Sequence, residues 1–313
     1  MLLTLFAPLL LTQAIGGGPG PLVTPGRGPA VAENPLREAG AKRRRSSAEQ
    51  STDLPTNSRL KQCLQQADSD AETAETTALA WLKEAKGSAS AEPQLCLGVA
   101  QGAQGEWEAA EASFIAGRDN AAASDHLMIA RLGAMAGNAA LANDAPDRSL
   151  IALESAGEQA YKAEQPHLAG DIALDRARAL VMLKRDDEAA AALTEARAAN
   201  PNNPEGWLLS ATLSRRMKRL DKAQTQIQTA AELSPIDPQI GLEAGVIALL
   251  SGRDESARKS WLSVIAAAPS SDSAEKARTY LAQITPVATP IAAPVATTSH
   301  SSADKGNHPV GAQ

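Results

Sequence analysis

The residues that serve most catalytic and metal sites are scarce in this sequence. Among 313 residues there are four histidines and two cysteines, and aromatic residues make up 3%. His300 and His308 lie near the C-terminus, while His126 and His167 are far apart in the sequence. No two histidines have the i, i+4 spacing with which a helix presents a pair of metal ligands. The sequence therefore predicts neither a metal nor a cofactor.

The motifs of the common enzyme classes are also missing. Gly16-Gly17-Gly18 neither follows a predicted strand nor opens a predicted helix, so it does not fit a phosphate-binding loop. No serine, cysteine or aspartate lies in a recognisable nucleophile motif. Acidic residues on alanine-rich helices are typical of solvated faces. A non-catalytic protein is favoured, and a hydrolytic or regulatory enzyme subunit with its active residues in Ser124–Glu164 is the less favoured alternative.

Positive charge is short overall and unevenly distributed. The net charge is −6 at pH 7. Residues 20–55 contain six basic and four acidic residues, and beyond Pro286 only Asp304 and Lys305 are charged. Since these ends contribute +2 to a total of −6, the part between them carries about −8. A surface of this sign does not attract nucleic acid, so no nucleic-acid partner is predicted.

No apolar run is long enough to span a bilayer. The run Leu2–Leu11 precedes the small residues Thr12 and Ala14, a pattern typical of a signal-peptidase site, although no Lys or Arg comes before it. We expect a signal peptide over residues 1–14 and a periplasmic or secreted protein. The alternatives are an ordinary apolar terminus and a cytoplasmic location.

Two segments have no apolar periodicity. Residues 15–55 are rich in Gly, Pro, Arg and Ser, and residues 286–313 in Ala, Pro and Thr. Such compositions bury too little apolar surface to offset the entropy of ordering, so both are predicted to be disordered. The basic run Lys42–Arg45 is interpreted as a solvated patch; contact with an anionic surface or sensitivity to proteases are the alternatives.

A constant interval organises the region between these segments. Pro201, Pro235 and Pro269 are 34 residues apart, and we call this spacing the repeat period. A period of this length predicts stacked helical hairpins. Asn203 is placed to cap a helix and Pro204 to begin it. The repeat period also relates four sets of small or apolar residues: Ala177, Ala211 and Gly245; Ala189, Ala223 and Ala257; Leu193, Ile227 and Trp261; Ala196, Ala230 and Val264.

These residues resemble the tetratricopeptide repeat family, whose consensus places Trp, Leu, Gly, Tyr, Ala, Phe, Ala and Pro at the corresponding points. The resemblance is strong from Gly170 to Pro269, and Gly98, Ala110 and Phe114 keep the same mutual spacing in an earlier unit. It implies an all-α fold, a right-handed α-solenoid of about six hairpins plus a C-terminal capping helix. The implied repeat domain is 56–285, with hairpins 57–90, 91–121, 124–166, 170–203, 204–237 and 238–271 and a cap at 272–285.

Two departures from the family pattern are evident. Between Ser124 and Glu164 the period fails, and longer helices are expected there in a degenerate hairpin. The family prefers glycine in the turn within a hairpin, but Lys184 and Lys218 stand at two such turns. Those turns either adopt another geometry or accept a cost of about 1 kcal/mol for a left-handed backbone.

The two cysteines stand almost one repeat period apart, on the first helices of the first two predicted hairpins. Equivalent positions of consecutive repeats lie side by side, so Cys63 and Cys96 are candidates for a disulfide in an exported protein. The alternative is two small buried apolar residues.

In the family, first helices line a concave groove that binds partner segments. The resemblance implies an apolar groove edged by arginines, suited to an amphipathic helix or an extended segment with acidic flanks. The alternative is that some of the leucines only support the neighbouring hairpin. The segment Pro286–Ile291 is an alternative occupant of the groove, from the same chain. The implied groove residues are Leu95, Val99, Leu174, Arg178, Leu208, Thr212, Arg215, Leu242 and Val246.

Together these features predict a protein–protein interaction scaffold of the bacterial cell envelope, which binds a protein or peptide in its groove. A chaperone-like adaptor that holds exported clients is the main alternative. The sequence does not identify the partner.

Overall fold

The computed structural model describes residues 58–284, which form thirteen α-helices and no strand. The predicted signal peptide, the linker and the C-terminal tail lie outside the described residues. In chain order the helices α1 to α13 are Ser58–Ser69, Ala71–Glu84, Ala91–Gln104, Trp107–Asn120, His126–Ala142, Pro146–Lys162, Pro166–Met182, Asp186–Ala199, Pro204–Arg216, Leu220–Leu233, Pro238–Leu250, Asp254–Ala267 and Asp272–Gln283.

Consecutive helices pack as hairpins, α1 with α2, α3 with α4, and so on to α11 with α12. Helices joined by a turn of a few residues run antiparallel. Each hairpin packs on the next, and first helices of neighbouring hairpins touch, as α9 does with α11 and α11 with α13. The predicted all-α solenoid of six hairpins and a closing helix is confirmed.

The helix starts follow the expected capping chemistry. The side-chain oxygen of Asn203 accepts a hydrogen bond of 3.0 Å from a backbone N–H of α9, and Asp237 does the same for α11 at 2.8 Å. These bonds satisfy donors that have no partner within the helix. The fourth hairpin begins at Pro166 rather than at the predicted Gly170, because this proline fills the first helical position and lengthens α7 to 17 residues.

In three of the hairpins, a small residue on the first helix closely approaches a large residue on the second helix. At Gly245, an added Cβ would lie 2.1 Å from Trp261 Nε1, and at Gly98 one would lie 2.5 Å from Phe114 Cε1. These large residues come 16 positions after the small ones. There is therefore no room for a side chain at either glycine.

The third hairpin follows the same rule although its sequence period fails. Its helices α5 and α6 have 17 residues each, as the sequence led us to expect. A Cβ added at Gly137 would lie 2.6 Å from Leu153 Cγ, and this pair again has an offset of 16. The 16-residue offset between the small and the large residue spans only the turn and the helix ends beside it, so longer helices do not change it. The repeat period spans both whole helices of a hairpin, so longer helices do change it.

Left-handed backbone closes the turns with and without glycine. Lys184 and Lys218 both have φ of 60°, in the same region as Gly105 at 82° and Gly252 at 73°. The lysine turns therefore do not adopt another geometry; they have the left-handed backbone, which costs conformational energy. A left-handed residue with a Cβ is disfavoured by roughly 1–2 kcal/mol.

A disulfide joins the first helices of hairpins 1 and 2. The Cα atoms of Cys63 and Cys96 are 6.1 Å apart, and both side chains are buried. They lie in one apolar cluster with Leu60, Trp81 and Leu95. The bond therefore ties the terminal hairpin, which has only one neighbour in the described part of the chain, to the rest of the array.

The closing helix α13 has one buried side and one polar side. Ala274 and Ala277 are fully buried against the last hairpin, whereas Glu275, Arg278 and Thr279 are more accessible to solvent. In a repeat array, a terminal element with a polar outer face ends the stacking.

We expect Gly245→Ala to lower the free energy of unfolding by about 1–3 kcal/mol, because the new methyl group would displace Trp261. The matched control is Gly157→Ala, also within a helix. Its Cβ would lie 3.7 Å from Ile172 Cγ2, an ordinary contact, so the better helix propensity of alanine raises stability by up to about 1 kcal/mol. Chemical denaturation followed by circular dichroism measures both, and equal shifts would contradict the close-approach rule.

Lys218→Gly should stabilise the protein by about 1 kcal/mol, because glycine adopts the left-handed turn without strain. Lys259→Gly removes the same charge from the interior of α12 and should destabilise by a similar amount. Thermal unfolding measures both variants. A fall in stability for Lys218→Gly would show that the lysine turn is not strained.

Candidate partner-binding face

Most of the residues predicted to line the groove are buried within the chain itself. Leu95, Leu174 and Thr212 are 1% exposed, Val246 is 2% exposed and Leu208 is 8% exposed. They belong to the packing between hairpins and offer a partner no surface. For these positions the structure agrees with the alternative interpretation, in which they support the neighbouring hairpin.

Arg178 is also buried, and its charge is used inside the solenoid. Its guanidinium donates to Asp175 on its own helix and to Glu205 on α9, the first helix of the next hairpin. Asn138 Nδ2 on α5 donates to Asp175 Oδ2 at 2.9 Å. These bonds join the first helices of three successive hairpins.

Arg215 makes the same kind of bridge one hairpin further along. Its Nε donates to Glu243 Oε1 on α11 at 2.6 Å, and both side chains are 8% exposed. The expectation that Arg178 and Arg215 edge a groove and receive acidic flanks is corrected by these pairs, because each arginine already has a carboxylate partner.

The acidic partners could have been found from the sequence. Glu205 lies 27 positions after Arg178, and Glu243 lies 28 positions after Arg215. A residue exactly one repeat period after the arginine would occupy the equivalent position on the neighbouring first helix. The glutamates come six or seven residues earlier, so each lies on that helix about two turns closer to its N-terminus. An arginine and a glutamate with this offset predict a bridge between hairpins.

Helix α11 differs from the other first helices because it is apolar on every side. Glu243 is its only charged residue, and this carboxylate is paired with Arg215. A helix of this kind is normally covered all round. Nevertheless, Leu242 and Leu249 are only partly buried, and Leu250 is 41% exposed.

The closing helix extends this partly exposed surface. Tyr280 and Ile284 pack against the same cluster, built around Val246 and Trp261, as Leu242 and Leu249 do. Repeat equivalence places Tyr280 beside Val246, since one repeat period separates them. We call the surface formed by Leu242, Leu249, Tyr280 and Ile284 the terminal apolar face.

The second helices are tied to each other by polar side chains. Arg148 binds Glu111 through two hydrogen bonds of 2.9 and 3.0 Å, and Tyr161 donates to Glu195 at 3.1 Å. Burial raises the pKa of Tyr161, and the hydrogen bond to Glu195 adds to this increase. The hydrogen bond to Glu111 likewise raises the pKa of Arg148. Ile151, 70% exposed, lies among these polar groups on α6.

A shallow depression beside Trp107 is lined by Glu106, Glu108 and Asn143 together with alanines. Within residues 58–284, no three His, Cys, Asp or Glu side chains come together as metal ligands. No helix in this range is long and apolar enough to cross a membrane.

Residues 171–213 match the model of the tetratricopeptide repeat family. This range covers most of the fourth hairpin and the start of the fifth. A comparison with curated proteins finds no match.

Several solved structures are similar to this chain. PilF of Pseudomonas aeruginosa is 14% identical, with a TM-score of 0.57 over 75% of this chain and 98% of its own. BtubC of P. vanneervenii is also 14% identical, with a TM-score of 0.51 over 87% of this chain and 100% of its own. YrrB, a TPR protein with an unusual peptide-binding site, is 22% identical, with a TM-score of 0.46 over 67% and 99%. The first two show that the fold is shared.

We expect Arg215→Met to destabilise the protein by about 3–5 kcal/mol, because it leaves the buried carboxylate of Glu243 without a partner. The double variant Arg215→Met, Glu243→Leu should recover most of this loss. Arg185→Met is the control, because its ion pair with Glu188 is exposed and is worth less than about 1 kcal/mol. Urea denaturation measures all three. Equal effects of Arg215→Met and Arg185→Met would show that the bridge is not structural.

Proposed function

We propose that this protein is a non-catalytic tetratricopeptide repeat scaffold of the bacterial cell envelope, which binds a segment of a partner protein on its terminal apolar face. The observation that supports the proposal is the uniform apolar character of α11 together with the partial exposure of Leu242 and Leu249. A group of apolar side chains that remain partly accessible to solvent is typical of interaction sites.

The chemistry of the face suits an apolar, uncharged partner segment. Arg178 and Arg215 are paired within the chain, so acidic flanks in the partner would gain little from them. The face is formed by α11, by the neighbouring helix α13 and by Ile284 directly after it, and the two helices contact each other. A short helix or an extended strand of the partner, laid across these helices, would bury several apolar residues at once.

A scaffold is favoured over a chaperone-like adaptor because the face lies on helices rather than loops and ionic bridges join the first helices that precede it. Proteins that hold many clients use flexible, methionine-rich or loop-rich surfaces that can repack. Here the first helices of the middle hairpins are locked together by the bridges from Arg178 and Arg215. A surface of this kind favours one partner segment over many.

The envelope location rests on two features. Leu2–Leu11 followed by Thr12 and Ala14 has the order of an export signal. The disulfide between Cys63 and Cys96 is typical of proteins in oxidising compartments. Both support export and leave the partner to be found in the envelope.

Affinity capture tests this function. The chain from Ile15 onward, with its disulfide intact, is used as bait in envelope and cytosolic extracts, and bound proteins are identified by mass spectrometry. We expect one stoichiometric envelope partner, and at least a tenfold loss of it with Leu242→Ser, Leu249→Ser, because the apolar contact is removed. Many exported proteins in similar amounts would favour the chaperone, and a clean cytosolic partner would overturn the location.

The control for this capture is Leu262→Ser. Leu262 is 53% exposed on α12, in the same hairpin but on its second helix. This variant should capture the partner as well as the unmodified chain does. Circular dichroism of each bait separates loss of the face from loss of the fold.

A further inference from the structure

We propose that residues Pro286–Thr297 of this same chain dock on the terminal apolar face and compete with the partner there. The proposal deepens the function proposed above and rests on it for its regulatory meaning. It assigns an occupant to a face that α11 and α13 present beside the point where the described residues end.

Ile284, the last residue that the structure describes, lies at this face. Ile284 packs against the cluster that also contains Leu242 and Leu249. One repeat period separates it from Leu250, so repeat equivalence places the end of α13 beside the end of α11. The chain therefore leaves the solenoid next to Leu249.

The sequence that follows has a short internal repeat. Residues 286–297 read PVAT, PIAA and PVAT, so that a proline and a β-branched residue recur every four positions. Proline favours the extended polyproline II conformation, in which each residue advances about 3.1 Å. Val287, Ile291 and Val295 would then be spaced by about 12 Å.

This spacing is close to that of the leucines on α11. Leu242 and Leu249 are two helical turns apart, and at about 1.5 Å per residue their Cα atoms are separated by about 10–11 Å along the helix. A segment that starts near Leu249 and runs back along α11 would therefore place Val287 and Ile291 near successive leucines. The three steps along the chain from Ile284 to Val287 supply about 9 Å of reach.

Charge favours this segment over the other end of the chain. Residues 285–303 contain no Asp, Glu, Lys or Arg, and the single charge of α11, on Glu243, is paired. The N-terminal segment would instead bring the basic run Lys42–Arg45 to an apolar surface. Desolvating those charges without partners is costly.

Tethering makes a weak contact sufficient. A segment attached directly to its binding site has an effective concentration in the millimolar range. Because prolines restrict the free segment, it also loses less entropy on binding. The docked segment would lower the partner's apparent affinity by the fraction of faces that it occupies.

Photo-crosslinking in the full chain tests the docking. A benzophenone amino acid replaces Ile291, and in a matched protein it replaces Ala303, beyond the short repeat. We expect crosslinks from position 291 to peptides of α11 or α13, and several-fold fewer from position 303. Adding Leu249→Ser should remove the crosslinks, while Leu262→Ser should leave them. Equal yields from both positions would overturn the proposal.

An equal mixture of isotope-labelled and unlabelled chains shows whether the crosslinks form within one molecule. Crosslinks within one chain support the docking. Crosslinks that join labelled to unlabelled chains would assign the face to a second copy and overturn the intramolecular contact.

A synthetic peptide of residues 286–297 gives an independent readout. We expect it to bind the chain that ends at Ile284 and to bind the full chain about tenfold more weakly, which corresponds to about 90% occupancy by the attached segment. The peptide with serine at positions 287, 291 and 295 is the control and should not bind. Equal binding to both chains, or none to either, contradicts the proposal.

The two proposals can fail separately. If crosslinks form but no partner depends on Leu242 and Leu249, the docked segment is a structural closure and the scaffold function is wrong. If partner capture depends on these leucines but position 291 gives no crosslinks to α11 or α13, only the docking is wrong.

Discussion

The structure depends on how closely the two helices of each hairpin approach each other. In three hairpins a small residue on the first helix and a large one 16 positions later fix this distance; the pairs are Gly98 with Phe114, Gly137 with Leu153, and Gly245 with Trp261. With so few aromatic residues in the chain, each of these hairpins has one large side chain at this contact and alanines around it. Interiors this close-packed tolerate little change in volume, so the contact sets the shape of the hairpin.

Ionic side-chain pairs join successive hairpins. First helices are joined by Arg178 to Glu205 and by Arg215 to Glu243, and second helices by Arg148 to Glu111. Arg178 and Arg215 are buried, whereas Arg148 is 55% exposed. Buried pairs add little net stability compared with apolar residues, but a missing partner is costly. The pairs therefore favour one register of stacking between hairpins. They also occupy the charges of Arg178 and Arg215, which were expected to edge the groove.

The fold could be predicted because its signals are local and repeated. Pro201, Pro235 and Pro269 give the period, and Asn203 with Pro204 gives a helix start. The residues that line the groove could not be predicted in the same way. The family pattern indicates the side of a first helix on which a residue lies, but it does not indicate whether a neighbouring side chain covers that residue. Thr212 is on the expected side and is still 1% exposed. Tertiary pairs such as Arg215 with Glu243 decide this, and they depend on two hairpins at once.

The terminal apolar face lies at the C-terminal end of the described array. In the fourth and fifth hairpins, each first helix has a neighbour on both sides and an ionic bridge to at least one of them. Toward the C-terminus of α11 the arrangement differs, because α13 offers the apolar side chains of Tyr280 and Ile284 to the shared cluster. The polar outer side of α13 stops further stacking, while its apolar side enlarges the surface that α11 leaves open. The two ends of the described array therefore differ, because a disulfide ties the first hairpin to its neighbour, whereas α13 closes the other end with a polar outer side and an apolar inner side.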